Sequence, residues 1–245
     1  MKHVIVTGAS SGIGKSIAQQ FFNQGWTPIL LARNEERLKS LSESLSQCPY
    51  YVCDLTEADS IHASLSDILK QEFRIQALVN NAGAYQPKSI DKDDDHVWDF
   101  HFQTNLMSAV RMTRGLWANL KESGGAILNI SSTLAIRPIE RTAAYSALKA
   151  AMNNWTLALA IEGAPHGIRA NAICPGLVQT PIHTFFDDHS PEGLNAQKIA
   201  QAMQPLGRVG QPKDIAATAV HLCSDESSWT TGVILNIDGG ILLKS

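Results

Sequence analysis

The sequence predicts an α/β fold, a doubly wound parallel sheet of about seven strands with helices on both faces. Three observations predict it. Short β-branched apolar runs alternate with segments of helical period along the whole chain, the pattern of strand and crossover helix. Residues with chemical potential collect where those apolar runs end, on the edge where such sheets bind ligands. The chain has 245 residues and is 44% hydrophobic, enough to bury the core of one domain spanning 1–245.

Val4-Ile5-Val6 reads as a first strand buried on both faces, and Thr7-Gly8-Ala9-Ser10-Ser11-Gly12-Ile13-Gly14 turns it into a helix whose stripe is Ile13, Ile17 and Phe21 and whose stop is Gly25. The second strand, Thr27 to Leu31, leads through Ala32-Arg33-Asn34 to a helix with Leu38, Leu41 and Leu45 inward. Asn34 is its expected N-cap, and Glu35 and Glu36 suit the positive end of the dipole. Tyr50 to Cys53 is the third strand, and Asp54-Leu55 precede a cap-like Thr56-Glu57-Ala58-Asp59 and a helix carrying Ile61, Leu65 and Ile68.

Ala77 to Val79 is the fourth strand, ending in Asn80-Asn81-Ala82-Gly83. The acidic run Asp91 to Asp95 then opens one long helix with Trp98, Phe102, Asn105, Ala109 and Leu116 on its inward stripe, where Asn105 is the polar exception. Ala126 to Ile130 delivers Ser131-Ser132 at its end. A helix from Ala144 to Gly163 carries Tyr145 and Lys149, and Arg169 to Ile173 ends in Cys174-Pro175-Gly176. The irregular stretch Ile182 to Leu206, with a short helix expected over Ala196 to Met203, has the length of a lid or binding loop. Asp214 to Cys223 is helical and Val233 to Ile237 is the last strand. Trp98, Trp117 and Trp155 read as core.

Composition excludes several classes. A net charge of -3 leaves no electrostatic footprint for nucleic acid, and no Lys/Arg run or long apolar span points to a membrane. Four cysteines without C-x-x-C spacing and no signal peptide indicate a reducing, cytoplasmic setting. Histidine pairs His96/His101 and His183/His189 lack ligand spacing, and the Asp91 to Asp95 run lacks the glycine of a calcium loop, so no metal site is expected.

Tyr145 and Lys149, four apart on a helix, share one face, where the cation is expected to pull the phenol toward the working range of a proton donor. Gly8, Gly12 and Gly14 permit a tight turn, and the helix starting near Gly12 offers free N–H groups to an anion. Gly8-Ala9-Ser10-Ser11-Gly12 also fits the G-x-S-x-G hydrolase elbow, but the oxyanion-hole segment that elbow requires is missing.

Taken together, Thr7-Gly8-x-x-x-Gly12-x-Gly14, Asp54, Asn80 to Gly83, Asn105, Ser132, Tyr145-x-x-x-Lys149, Pro175-Gly176 with Thr180, and Asp238-Gly239-Gly240 resemble, in order and over essentially the whole chain, the short-chain dehydrogenase/reductase family. The resemblance implies a single-domain Rossmann fold and an oxidoreductase acting on a small-molecule carbonyl or alcohol, including the 3-oxoacyl type. It implies a tetrad of Asn105, Ser132, Tyr145 and Lys149: Tyr145 donates the proton, Ser132 polarises the carbonyl, Lys149 holds the nicotinamide ribose, and Asn105 anchors a water leading from Lys149 to solvent. The implied cofactor contacts are Gly8, Ser10, Ser11, Gly12, Ile13, Gly14, Arg33, Asp54, Leu55, Asn81, Ala82, Gly83, Tyr145, Lys149, Pro175, Gly176, Val178 and Thr180. It further implies a homotetramer, or failing that a dimer, paired through the helices of Asp94 to Asn119 and Ala144 to Gly163 and through the last strand. A catalytically silent nucleotide sensor of the same fold would have no need of the four tetrad residues together.

Cofactor choice is expected from the end of the second strand. NAD-specific sites place a carboxylate there for the ribose 2′-hydroxyl; this chain has Ala32 and then Arg33, whose guanidinium suits the 2′-phosphate of NADP(H). The substrate is expected to meet Leu134 to Arg141 and the Ile182 to Leu206 stretch, with Arg137 and Arg141 as candidate anion contacts or plain solvated charges. The family often has glycine at the position of Ala135 and small residues at those of Glu140 and Arg141.

Overall fold

A computed structural model describes residues 2–244. Seven parallel strands form one sheet in the order β3-β2-β1-β4-β5-β6-β7. They are β1 (Lys2–Thr7), β2 (Trp26–Ala32), β3 (Tyr50–Val52), β4 (Ile75–Asn80), β5 (Ala126–Ile130), β6 (Arg169–Pro175) and β7 (Ile234–Ile237). The order reverses direction after β1, so the crevice between β1 and β4 is the topological switch point at which such sheets take ligands.

Alternation along the strands builds two cores. Val4, Val6, Leu30, Val79 and Leu128 face α1 (Gly12–Asn23), α2 (Glu35–Ser44) and α8 (Pro212–Cys223), through Ile17, Phe21, Leu38 and Ile215. Ile5, Ile29, Leu31, Leu78 and Ile127 face α3 (Ala58–Leu69), α5 (Ser108–Ser123) and α6 (Ala143–Gly163), through Ile61, Leu65, Met112, Leu116 and Leu159. With apolar cover on both sides, the inner strand positions are mostly apolar, and the buried exceptions Asn129 and Asn171 are hydrogen-bonded, to Asn80 and Thr156 and to Thr230 and Val233.

The long helix expected after the acidic run is interrupted. It consists of α4 (Asp95–Phe102), a π turn over Gln103–Met107, and α5. The π turn as a whole inserts one residue, which at 3.6 residues per turn rotates the preceding helix by about 100° relative to the succeeding one. The inward stripe ahead of the turn is therefore Val97 and His101, not Trp98 and Phe102, which are 39% and 38% exposed. Trp98 is thus not core, whereas Trp117 and Trp155 pack against the second core.

Two caps also differ from expectation. Thr56 donates to Asp54 Oδ1 (2.7 Å) instead of capping α3, whose N-cap is Glu57. The lid helix α7 spans Pro191–Ala202 rather than Ala196 to Met203, because Ser190 caps it through Gly193 N and Pro191 opens it. No helix among the described residues is long and apolar enough to cross a membrane.

Candidate active site

One cleft of about 1210 Å³ runs along the carboxyl ends of the strands, from Arg33 and Asp54 at one end to Met203 and Leu242 at the other. Of the expected cofactor contacts and the four tetrad residues, all line it except Gly14 and Asn105. Both stand immediately behind its wall. A Cβ on Gly14 would lie 2.3 Å from the Gly8 carbonyl oxygen and 2.4 Å from Asn81 Nδ2, so this glycine lets α1 close against the β1 turn. Asn105 is wholly buried; its Oδ1 accepts from Ala84 N and its Nδ2 donates to Ala84 O, each at 3.0 Å.

At the dinucleotide end, Gly8 and Gly12 take φ of 64° and 52°, a region where a side chain would strain the backbone. Ser11 is the N-cap of α1 but makes no side-chain cap bond, and the first turn carries no acid, so the helix dipole and its N–H groups are free to meet an anion. The β4 end is locked to the β1 end by Thr7, whose Oγ1 accepts from Asn81 N (2.9 Å) and Ala82 N (3.0 Å) while Asn81 Nδ2 donates to Thr7 O (2.9 Å). Asp54 forms a turn with Thr56, and those bonds and nearby Arg33 hold its carboxyl below the usual range despite burial. Ala32 is buried, Arg33 is exposed beside it, and Arg37 joins them in the cleft wall, whereas Glu35 and Glu36 do not.

At the other end, Ser132 leaves β5 in an extended conformation (φ −163°, ψ 151°) and its Oγ accepts from Leu134 N (3.1 Å). Its hydroxyl also acts on the Tyr145 phenol, in the sense that lowers the phenol's pKa. Lys149 is 3% exposed, with Nζ 2.8 Å from Ile130 O and 5.9 Å from the Tyr145 ring centroid.

Contrary to the expectation from spacing, Lys149 does not pull the phenol down. Burial pushes Tyr145 up to about 12, and the Ser132 hydroxyl opposes this only in part. The ammonium points to the Ile130 carbonyl, and its own burial brings it down to about 8.

Burying that ammonium has a measurable consequence. The unfolded chain keeps the Lys149 proton up to about pH 10.5, whereas the native state releases it near pH 8, so native stability rises with pH across that window and the cost is fully present below it. Relative to Lys149→Met, the wild type should therefore gain on the order of 2–3 kcal/mol between about pH 7 and pH 10.5, measured by urea unfolding. A constant difference across that range would contradict the burial assigned to Lys149.

Tyr85, which the sequence does not single out, and the expected lid stretch complete the wall. Tyr85 packs edge-on to Tyr145 (5.1 Å between centroids) and against His183 of the lid segment (6.1 Å), which also meets Phe185. Arg137 lines the cleft but spends its donors on the carbonyls of Ile241, Leu242 and Lys244, tying down the C-terminal segment; Arg141 lies outside the lining.

Residues 8–242 match the family model described as Enoyl-(Acyl carrier protein) reductase. The chain belongs to the short-chain dehydrogenase/reductase family. Relatives in this family span the whole chain. An L-fucose dehydrogenase of Oryctolagus cuniculus is 32% identical over 100% of this chain and 86% of its own length. A 3-oxoacyl-(acyl-carrier-protein) reductase of Thermotoga maritima is 33% identical over 99% of this chain and 98% of its own. Among solved structures, the L-sorbose reductase of Gluconobacter frateurii, complexed with NADPH and L-sorbose, superposes with a TM-score of 0.92 at 30% identity, covering 100% of this chain and 97% of that one.

Proposed function

We propose that this short-chain dehydrogenase/reductase interconverts a ketone or aldehyde and an alcohol with NADP(H), through Asn105, Ser132, Tyr145 and Lys149. The observation that carries the reading is the single cleft joining Arg33 and Arg37 at one end to Ser132 and Tyr145 at the other across a glycine turn and a free helix N-terminus. That is the distribution of charge and donors a phosphorylated dinucleotide needs, with a proton donor where its reactive ring would lie. When bound, the cofactor supplies or accepts the hydride.

The chain's own residues handle the proton and the oxygen. Ser132 and Tyr145 line the same cleft, where the substrate carbonyl oxygen would accept from both hydroxyls and take the Tyr145 proton as its carbon is reduced. Lys149, a buried cation beside the phenol, offers donors to the ribose and a route by which Tyr145 is reprotonated. The lid over Ile182 to Leu206 covers the substrate with His183 and Phe185 and excludes water.

Because burial raises the Tyr145 pKa, the phenol keeps its proton at neutral pH. Tyr145 itself therefore sets no limit on reduction below about pH 9, and any fall in that range follows Lys149 as it loses its proton near pH 8, while alcohol oxidation, which needs the phenolate, climbs between about pH 7 and pH 9. Initial rates in both directions check this; oxidation that does not climb would contradict Tyr145 as the base.

The substrate class is tested by NADPH consumption with L-sorbose, a 3-oxoacyl thioester and simple ketones, and by NADP+ reduction with L-fucose. Turnover of at least one is expected. Failure of all of them by protein that binds NADPH would overturn the reading.

The exposed apolar residues Leu157 and Ile161, 40% and 76% exposed, support self-association through the α6 face, with a homotetramer as the expected form. Light scattering should give four chains per particle; a stable monomer would contradict it. The free thiols Cys48, Cys53, Cys174 and Cys223 suit a reducing, cytoplasmic setting.

A further inference from the structure

Behind Tyr145 lies a buried histidine that the proposed chemistry does not use. His101 is 0% exposed on α4, one turn ahead of Asn105. Its Nδ1 lies 2.9 Å from Asn105 Nδ2, its Nε2 lies 3.3 Å from Gln86 O, and its ring meets that of Tyr145 edge-on at 5.8 Å. The π turn over Gln103–Met107 sets Asn105 against this ring.

The bonding leaves one protonation pattern. Ala84 offers Asn105 a backbone donor and a backbone acceptor, so Oδ1 must face Ala84 N and one Nδ2 hydrogen must face Ala84 O. The second Nδ2 hydrogen then points at His101 Nδ1, which must present a lone pair. That places the imidazole proton on Nε2, toward the Gln86 carbonyl. A proton on Nδ1 would set two donors face to face, and either Asn105 or the ring would have to move.

We propose that His101 is a positioning residue that holds Asn105, and with it Ala84 and the Tyr145 ring, only while its imidazole is neutral. The protein thereby carries an acid limit set outside the four residues of the proposed reaction. This rests on the oxidoreductase reading for its effect on turnover, but not for the hydrogen bond itself.

The surroundings agree. Burial is the largest influence on His101 and lowers its pKa from 6.5, with Lys149 of α6 acting in the same sense. The Gln86 carbonyl and Asp93 act in the opposite sense; Asp93 Oδ1 is buried without a hydrogen-bond partner. Tyr145 of α6 and Phe100 of α4 supply the remaining ring contacts. The neutral form is therefore the resting form at physiological pH.

Two substitutions separate holding from filling. His101→Gln keeps an acceptor within reach of Asn105 Nδ2 and takes no proton; His101→Leu keeps volume but leaves that N–H unpaired. Wild-type kcat for NADPH-dependent reduction should fall as pH drops through the His101 titration. His101→Gln should stay within about twofold at neutral pH and lose that acid limb, and His101→Leu should lose about tenfold at every pH while still binding NADPH. An acid limb shared by wild type and His101→Gln, or wild-type rates in His101→Leu, would overturn the proposal.

A readout without turnover accompanies this. In histidine- and asparagine-labelled full-length protein, NMR should show the Nε2–H tautomer at neutral pH and an Asn105 side-chain amide that shifts in step with His101 protonation. An Nδ1–H tautomer or an amide indifferent to that titration would overturn the proposal whether or not any carbonyl is reduced. Absence of all carbonyl reduction, with the NMR result as expected, would instead remove the oxidoreductase reading and leave the His101 contact standing.

Discussion

Tyr145→Phe should lower kcat by on the order of 10³ and leave NADPH affinity within a few-fold of wild type. The substitution removes the transferable proton and little volume. The ring keeps its edge contacts with Tyr85 and His101, so the wall of the cleft stays in place. Stopped-flow reduction rates beside cofactor fluorescence separate lost chemistry from lost binding. Substantial turnover in the folded variant would remove Tyr145 from the reaction.

The second large effect concerns the cofactor. Arg33 stands at the end of β2 after the buried Ala32, and Arg37 on the first turns of α2 adds a second cation to the same wall. Two charge-assisted contacts to a 2′-phosphate should favour NADPH over NADH in kcat/KM by on the order of 10². Ala32→Asp/Arg33→Ala should reverse the preference, since the new carboxylate can accept from a 2′-hydroxyl and repels a phosphate. Wild-type preference for NADH, or a double variant that still prefers NADPH, would contradict the assignment.

Local chemistry decides the features that were legible in the sequence. The strand ends, the glycine turn with its positive φ, the Asn34 cap and the spacing of Tyr145 and Lys149 depend on residues close in sequence, and the structure places nearly all the expected residues on one cleft. The helix start at Ser190-Pro191 was equally readable, as a cap followed by proline, inside a stretch whose apolar pattern is weak.

The rest depended on packing. A π turn leaves no compositional mark, and only its rotation of Val97 and His101 inward reveals it. Tyr85, His183 and Phe185 come from segments nearly a hundred residues apart and meet only once the lid lies over the cleft. The helical spacing placed Lys149 beside Tyr145 correctly, but not the Ile130 carbonyl that turns its ammonium aside nor the burial that reverses the expected shift of the phenol.

Tyr145 and Ser132 are proposed to act on a carbonyl that receives hydride from NADPH held in the same cleft. The most direct test is reduction of a carbonyl substrate with NADPH deuterated at the nicotinamide C4, with mass spectrometry of the alcohol. The wild type should place a single deuterium on the former carbonyl carbon, even in ordinary water, and Tyr145→Phe should form almost none of that product. Alcohol formed without deuterium on carbon with either face of the C4 labelled, or labelled product formed equally well by Tyr145→Phe, would contradict hydride transfer from NADPH assisted by Tyr145.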